Sequence, residues 1–144
     1  MGRLIGQSEG GATFDAKVMA SPQRVAWLRA HGHPFPPPVT IRSLIDTGAS
    51  SSCIDGSIVH RLGLEPRDLI EIHTPSTMGV PVLRNTYDIS IIFGEGQPDP
   101  RTYTLEIVET ELLDQGFLLL VGRDILNRCV FHYDGPNWIF ELRY

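Results

Sequence analysis

Cysteine is scarce in this sequence. Two residues in 144, Cys53 and Cys129, are too few for a disulfide framework. Neither sits in a Cys-x-x-Cys pair of the kind that holds zinc or exchanges thiols, so both read as small core hydrophobes. Lysine is nearly absent as well: eleven of the twelve basic residues are arginine, scattered from Arg3 to Arg143, and seventeen acidic residues leave a net charge of −5. That balance removes any long-range attraction to phosphate backbones or anionic lipid, so neither nucleic acid nor a membrane is an expected partner. The longest apolar run, Phe117 to Val121, is far short of the ~20 residues a membrane helix needs. No apolar segment follows the first arginine to form a secretory signal. A cytoplasmic location is expected.

Glycine and proline, in contrast, are plentiful at 14 and 11 residues, within a chain that is 42% hydrophobic and 20% charged. This describes a turn-rich globular protein with enough length for one core. Residues 1–11 are glycine-rich and polar and are expected to be a flexible N-terminus, with a single domain over 12–144. Short strand signals dominate: Thr13 to Met19, Val39 to Ile45, Ile70 to Thr74, Val80 to Phe93, Thr102 to Val108 and Phe117 to Val121. A final hairpin is expected around Asp134-Gly135-Pro136. Ser21-Pro22 opens a short helix that Gly32 and Pro34 stop, and Asp55 or Ser57 caps another that closes at Gly63. The pattern predicts an all-β, closed domain with two or three short helices.

The segment Leu44-Ile45-Asp46-Thr47-Gly48-Ala49-Ser50 joins two bulky aliphatics to a carboxylate, a hydroxyl and a glycine. An aspartate at the end of an apolar strand faces desolvation unless hydrogen bonds or a neighbouring charge compensate. Glycine lets the backbone turn sharply and approach that carboxylate. Alone, such a tripeptide fits an ordinary turn aspartate that caps its own loop. Downstream, however, stands a second element, Leu118-Leu119-Leu120-Val121-Gly122-Arg123-Asp124-Ile125-Leu126.

Together the two segments resemble the retropepsin-like aspartic proteases, the single-domain family that includes retroviral proteases and bacterial relatives. The resemblance extends over about residues 39–143, and Leu62-Gly63-Leu64 after the first motif is similar to bacterial members. It implies a closed, barrel-like acid protease fold. It also implies that Asp46 is the catalytic aspartate, that Thr47 locks two active-site loops through its hydroxyl, and that Gly48 binds substrate backbone beside Ala49. Gly122, Arg123 and Asp124 would form the turn and helix packed behind the site. His73 to Val82 falls where the family has its flap, with Thr77 and Met78 facing substrate and Gly79 at the tip. Many retroviral members carry an acidic residue where this chain has Ser50, paired with the motif arginine. Asp124 and Asp55 are therefore the candidate partners of Arg123.

Aspartic-protease chemistry uses two carboxylates about 3 Å apart that share a proton. The sequence holds one Asp-Thr-Gly, since Asp55-Gly56 and Asp134-Gly135 lack the hydroxyl residue and the preceding aliphatic strand. The economical solution is a C2 homodimer that places Asp46 beside its own copy, with Val39-Thr40-Ile41 and Trp138 to Tyr144 as candidate interface strands. The expected activity is hydrolysis of peptide bonds in a peptide or protein substrate without a cofactor. The alternative is a catalytically weak module of the same fold, kept for dimerisation or peptide binding. His31 and His33 form a His-x-His beside a proline run with no nearby acidic residue, so no metal is expected.

Overall fold

The computed structural model describes residues 1–73 and 78–144, and strands are its principal regular element. Their order is β1 (Arg3–Gln7), β2 (Thr13–Ala20), α1 (Pro22–Ala30), β3 (Val39–Ile45), β4 (Cys53–Asp55), α2 (Gly56–Arg61), β5 (Asp68–Ile72), β6 (Val82–Phe93), β7 (Arg101–Thr110), β8 (Leu119–Val121), α3 (Arg123–Leu126), β9 (Val130–Asp134) and β10 (Ile139–Arg143). Side chains alternate across a strand, so Phe14, Ala16 and Val18 of β2 point inward together, as do Tyr87, Ile89, Ile91 and Phe93 of β6. No helix among the described residues is long and apolar enough to cross a membrane.

A sheet with one apolar face must cover it, and here it closes on itself. The hydrogen-bonded order runs β2-β3-β8-β4-β7-β6, and β6 returns to β2 to complete a six-stranded barrel. Closure removes the free edges that would otherwise template aggregation. Its interior is filled by Val18, Ile54, Ile89, Ile91, Phe93, Ile107, Leu119 and Val121, all fully buried. β6 is long enough to serve two partners: its second half pairs with β2, while Val82 to Thr86 pairs with β5. β5 and the start of β6 therefore project from the barrel as a hairpin whose last pair is Ile72 with Val82.

The remaining strands form a second sheet of order β1-β10-β9. Residues 1–11 are thus not a frayed tail: Arg3–Gln7 pairs along β10, and Gly2 and Tyr144 exchange backbone hydrogen bonds at 2.9 and 3.0 Å. Two of the glycines in this segment, Gly2 and Gly6, are packing residues. A Cβ on Gly2 would come within 2.3 Å of the Tyr144 ring, and one on Gly6 within 2.6 Å of Phe140. Tyr144 is buried edge-on to Phe93, with ring centroids 5.7 Å apart.

The two segments read as interface strands are also differently placed. Val39 and Ile41 are buried in the barrel core. β10 is the central strand of its sheet, flanked by β1 and β9, so neither of its backbone edges is open to a second chain.

Deleting residues 1–7 should uncover Phe140 and Leu142 and cost about 2–4 kcal/mol. A fall in Tm of roughly 5–15 °C is expected at about 2–4 °C per kcal/mol. An unchanged melting curve would show that β1 adds nothing to the core.

Candidate active site

The Asp-Thr-Gly loop begins where β3 runs out of core. Ile45 is buried, and its neighbour across the parallel β3–β8 ladder is Val121. Parallel strands release their following loops at the same end of the sheet, so Asp46 and Gly122 emerge side by side. The Asp46 amide donates to the Val121 carbonyl at 3.0 Å. The chain then turns back: the Ala49 amide donates to the Asp46 carbonyl at 3.2 Å, and the Gly48 amide donates to Asp46 Oδ1 at 2.9 Å. Any Cβ on Gly48 would sit 3.1 Å from that same oxygen, tight enough to disturb the bond. Asp46 is half-buried, and Thr47 and Gly48 are exposed.

The second motif laces this loop from behind. Arg123 donates from its backbone to the Ala49 carbonyl and from Nη1 to the Thr47 carbonyl, both at 2.9 Å. Arg123 therefore engages backbone carbonyls of the loop, and neither Asp124 nor Asp55 is its partner. Asp124 instead accepts from the Ser52 amide at 2.8 Å, the Ser52 hydroxyl at 2.7 Å and the Ile125 amide at 2.9 Å. Ser52 Oγ in turn accepts from the Gly122 amide at 3.0 Å. Gly122 has no room for a side chain, since a Cβ would lie 2.7 Å from the Ser51 carbonyl carbon. Ser52 is a residue the sequence did not single out, and nothing in the run Ser50-Ser51-Ser52 marks the middle or last hydroxyl as the buried one.

Asp55 is committed elsewhere. It caps α2 by accepting from the Ser57 amide and hydroxyl, and its other oxygen accepts from the Leu112 and Leu113 amides at 2.7 and 3.2 Å. Burial alone would raise this carboxyl, but the bonds from the Ser57 hydroxyl and the three amides outweigh it and hold it below the ordinary carboxylate value.

Across from the loop lies β5. Gly48, Ala49 and Ser51 on one side, and Ile70, Ile72 and Val108 on the other, line a cleft of about 380 Å³. Cys53 also borders it; burial, and then the charges of Asp124 and Asp46, push its thiol up to about 11. It is therefore a neutral wall residue at ordinary pH. Cys53 and Cys129 are both free and half-buried. Beyond the cleft, the β5–β6 hairpin carries Met78, 91% exposed and at φ 51°, and Gly79 at φ 78°. Thr77 lies outside the described residues.

A barrel with this strand order, an Asp-Thr-Gly loop at the end of one strand and a Gly-Arg-Asp turn at the end of its parallel neighbour, matches a known architecture. The chain has the retropepsin-like fold. Superposed on a retropepsin-like aspartic protease from Rickettsia conorii it gives a TM-score of 0.57 over 99% of this chain and 91% of that one, at 18% identity. A looser similarity, with TM-score 0.40 and 17% identity over 72% of this chain and 78% of the other, relates it to the retroviral protease-like domain of Ddi1 from Leishmania major. No protein-family model and no curated protein matches the sequence. The helix α1 lies outside the site: His31 and His33 stack on Trp27, with centroids 4.2 and 5.9 Å away, and His31 Nδ1 lies 2.8 Å from the Trp27 carbonyl. Among the described residues no group of three or more potential ligands could hold a metal.

Asp124→Ala should leave the Ser52 donors unsatisfied and destabilise the protein by about 2–4 kcal/mol, read by chemical denaturation. A loss within error of zero would show that the clamp is dispensable. Asp55 supplies a pH signature. Its folded pKa lies below the unfolded value, so its contribution is complete above about pH 3.9 and is lost as pH falls through the folded value. In thermal melts from about pH 7 to pH 2, Asp55→Asn should be less stable than wild type at neutral pH. The gap should narrow in acid. A gap that stays constant across the range would refute the assignment.

Proposed function

We propose that the chain is an aspartic endopeptidase whose active site is completed by a second copy of itself. The observation that carries this reading is the Asp46 carboxylate, held by the Gly48 amide in a loop whose Gly48 and Ala49 line the cleft together with Ile70 and Ile72 of β5. A loop merely capping itself would have no need for the Arg123 bonds that fix its backbone from behind, or for an apolar cleft beside it. The retropepsin-like fold supports the same reading.

In that mechanism one Asp46 carboxylate is ionised and takes a proton from water, while the other, protonated, polarises the scissile carbonyl. Water oxygen bonds to the carbonyl carbon, giving a tetrahedral diol. The C–N bond then breaks as a proton passes to the leaving amine, and the dyad returns to its single shared proton. Ala49 and Gly48 would border the substrate backbone. Thr47, exposed on the outer side of the loop, would bond across to the second chain. Met78 and Gly79 would close over the peptide from the hairpin.

One chain supplies one such aspartate, so the mechanism requires a dimer. The terminal sheet suits that role. Its inner face packs Leu4, Phe140 and Leu142 toward the core, while Ile5, Val130 and Ile139 stand exposed on the outer face among Arg3, Glu141 and Arg143. Glu141 stands at the centre of that face, paired with Arg3 and Arg143, and the three apolar side chains surround it, a mixed composition ordinary for a non-obligate association surface. Peptide hydrolysis at such a site needs no cofactor, and a cytoplasmic setting is compatible with two free thiols.

Asp46→Asn is expected to abolish peptide cleavage, by at least about a thousandfold, while leaving the melting curve and the dimer intact. Excess mutant chain mixed into wild type should inhibit it through heterodimers, and specific activity should fall on dilution. Substantial turnover by the mutant rules out the dyad, and a fully active monomer in sedimentation rules out the shared site.

A further inference from the structure

Beyond the cleft is a second cavity of about 350 Å³ that shares Ser51, Ile70 and Val108 with it. A peptide lying between the Asp46 loop and β5 would continue into this space. One wall is the outer face of the β6–β7 ladder. Thr86 stands directly opposite Val108 there, and Asp88 opposite Glu106 two pairs further along, so Thr86, Val108 and Glu106 share that face. Thr86 is only 1% exposed, and its hydroxyl has no hydrogen-bond partner among the described residues. A buried hydroxyl without a partner is costly, and such groups are rare in folded proteins. This one borders a cavity that a ligand could enter.

The other polar groups on the walls narrow the ligand's chemistry. Glu106 contributes a carboxylate, of which Oε2 lies 3.6 Å from Arg67 Nε and Oε1 is left for a ligand, and Arg128 a guanidinium, while Asp124, also at the wall, has its oxygens committed to Ser52 and the Ile125 amide. An acidic side chain would be drawn to Arg128 but repelled by Glu106, and a basic one the reverse. A purely apolar side chain would leave the Thr86 hydroxyl unsatisfied and strip water from both charges. A carboxamide meets no like charge. Its N–H₂ can donate to Glu106 and Thr86, and its oxygen can accept from Arg128, Ser51 or Thr86.

We propose that this cavity is a recognition site for a glutamine or asparagine side chain of the substrate, at a position removed from the reacting bond. The inference rests on the endopeptidase reading and adds the substrate class to it. A site built to hydrogen-bond a polar group discriminates strongly against analogues that lack it.

The test is cleavage of a peptide library randomised on both sides of the bond, by wild type, Thr86→Val and Glu106→Gln, each confirmed as folded by its melting curve. Wild type should prefer glutamine or asparagine over leucine, glutamate and lysine at one position by on the order of tenfold in kcat/KM. In Thr86→Val, which keeps the shape and removes the hydroxyl, that ratio should fall toward one at that position only. Glu106→Gln should admit glutamate there. Cleavage by wild type without an amide preference, or a preference that survives Thr86→Val, overturns the site while leaving the protease reading in place. No cleavage of any peptide by wild type overturns both.

Discussion

The arrangement of the site depends on the parallel pairing of β3 with β8, from Ser43 opposite Leu119 to Ile45 opposite Val121. Two parallel neighbours cannot be joined by a tight turn; they need a long crossover. Here the crossover is everything between Asp46 and Leu118: β4, the projecting hairpin and the long β6–β7 ladder, which together make most of the barrel wall. The same pairing that sets two motif loops side by side therefore also obliges the intervening chain to wrap around and roof the cleft. β4 closes the circuit by pairing with both β8 and β7.

Three carboxylates lie close to this junction, and their hydrogen-bond partners assign them different work. Asp124 and Asp55 are saturated by donors from distant parts of the chain, Ser52 in one case and Leu112 with Leu113 in the other, and act as fasteners. Asp46 receives the Gly48 amide on Oδ1, in the loop that lines one side of the cleft. Arg123, the strongest cation near the loop, is spent on the Thr47 carbonyl. It fixes the loop without forming an ion pair with the carboxylate that the proposed chemistry needs. The Cys53 thiol is held neutral, while Glu71 of β5 brings a further carboxylate to the same cleft.

In the proposed dimer the terminal sheet would be the counterpart of the site. It uses both ends of the chain, locked by the reciprocal Gly2 and Tyr144 bonds, so its outer face is presented as a rigid surface. A shared site of the kind proposed would need its second copy held in one orientation, and a sheet face supplies a better reference than a flexible tail.

How much of this the sequence carried follows from the range of each interaction. β3 and the latter part of β6 were legible because alternation of apolar residues is a local property: Val39, Ile41, Ile45 and Tyr87, Ile89, Ile91, Phe93 record their own inward face. The two motifs were legible because a turn that must bring a glycine amide to a carboxylate restricts which residues fit within a few positions. β1 and β4 were not. One is rich in glycines whose purpose is to leave space for Phe140 and Tyr144, and the other is three residues long, too short for any period. Nor could the sequence name the partner of Arg123, because that partner is a backbone carbonyl, an atom every residue possesses, selected by where the loop lies. The burial of Ser52, the cleft between Ala49 and Ile70, and the unpaired hydroxyl of Thr86 all arise where strands far apart in the chain meet. The sequence by itself determined which short segments could form strands and which carboxylate stood in a tight glycine turn; tertiary structure alone decided which groups share a wall, because proximity between distant residues is fixed by strand order and register, which no local pattern encodes.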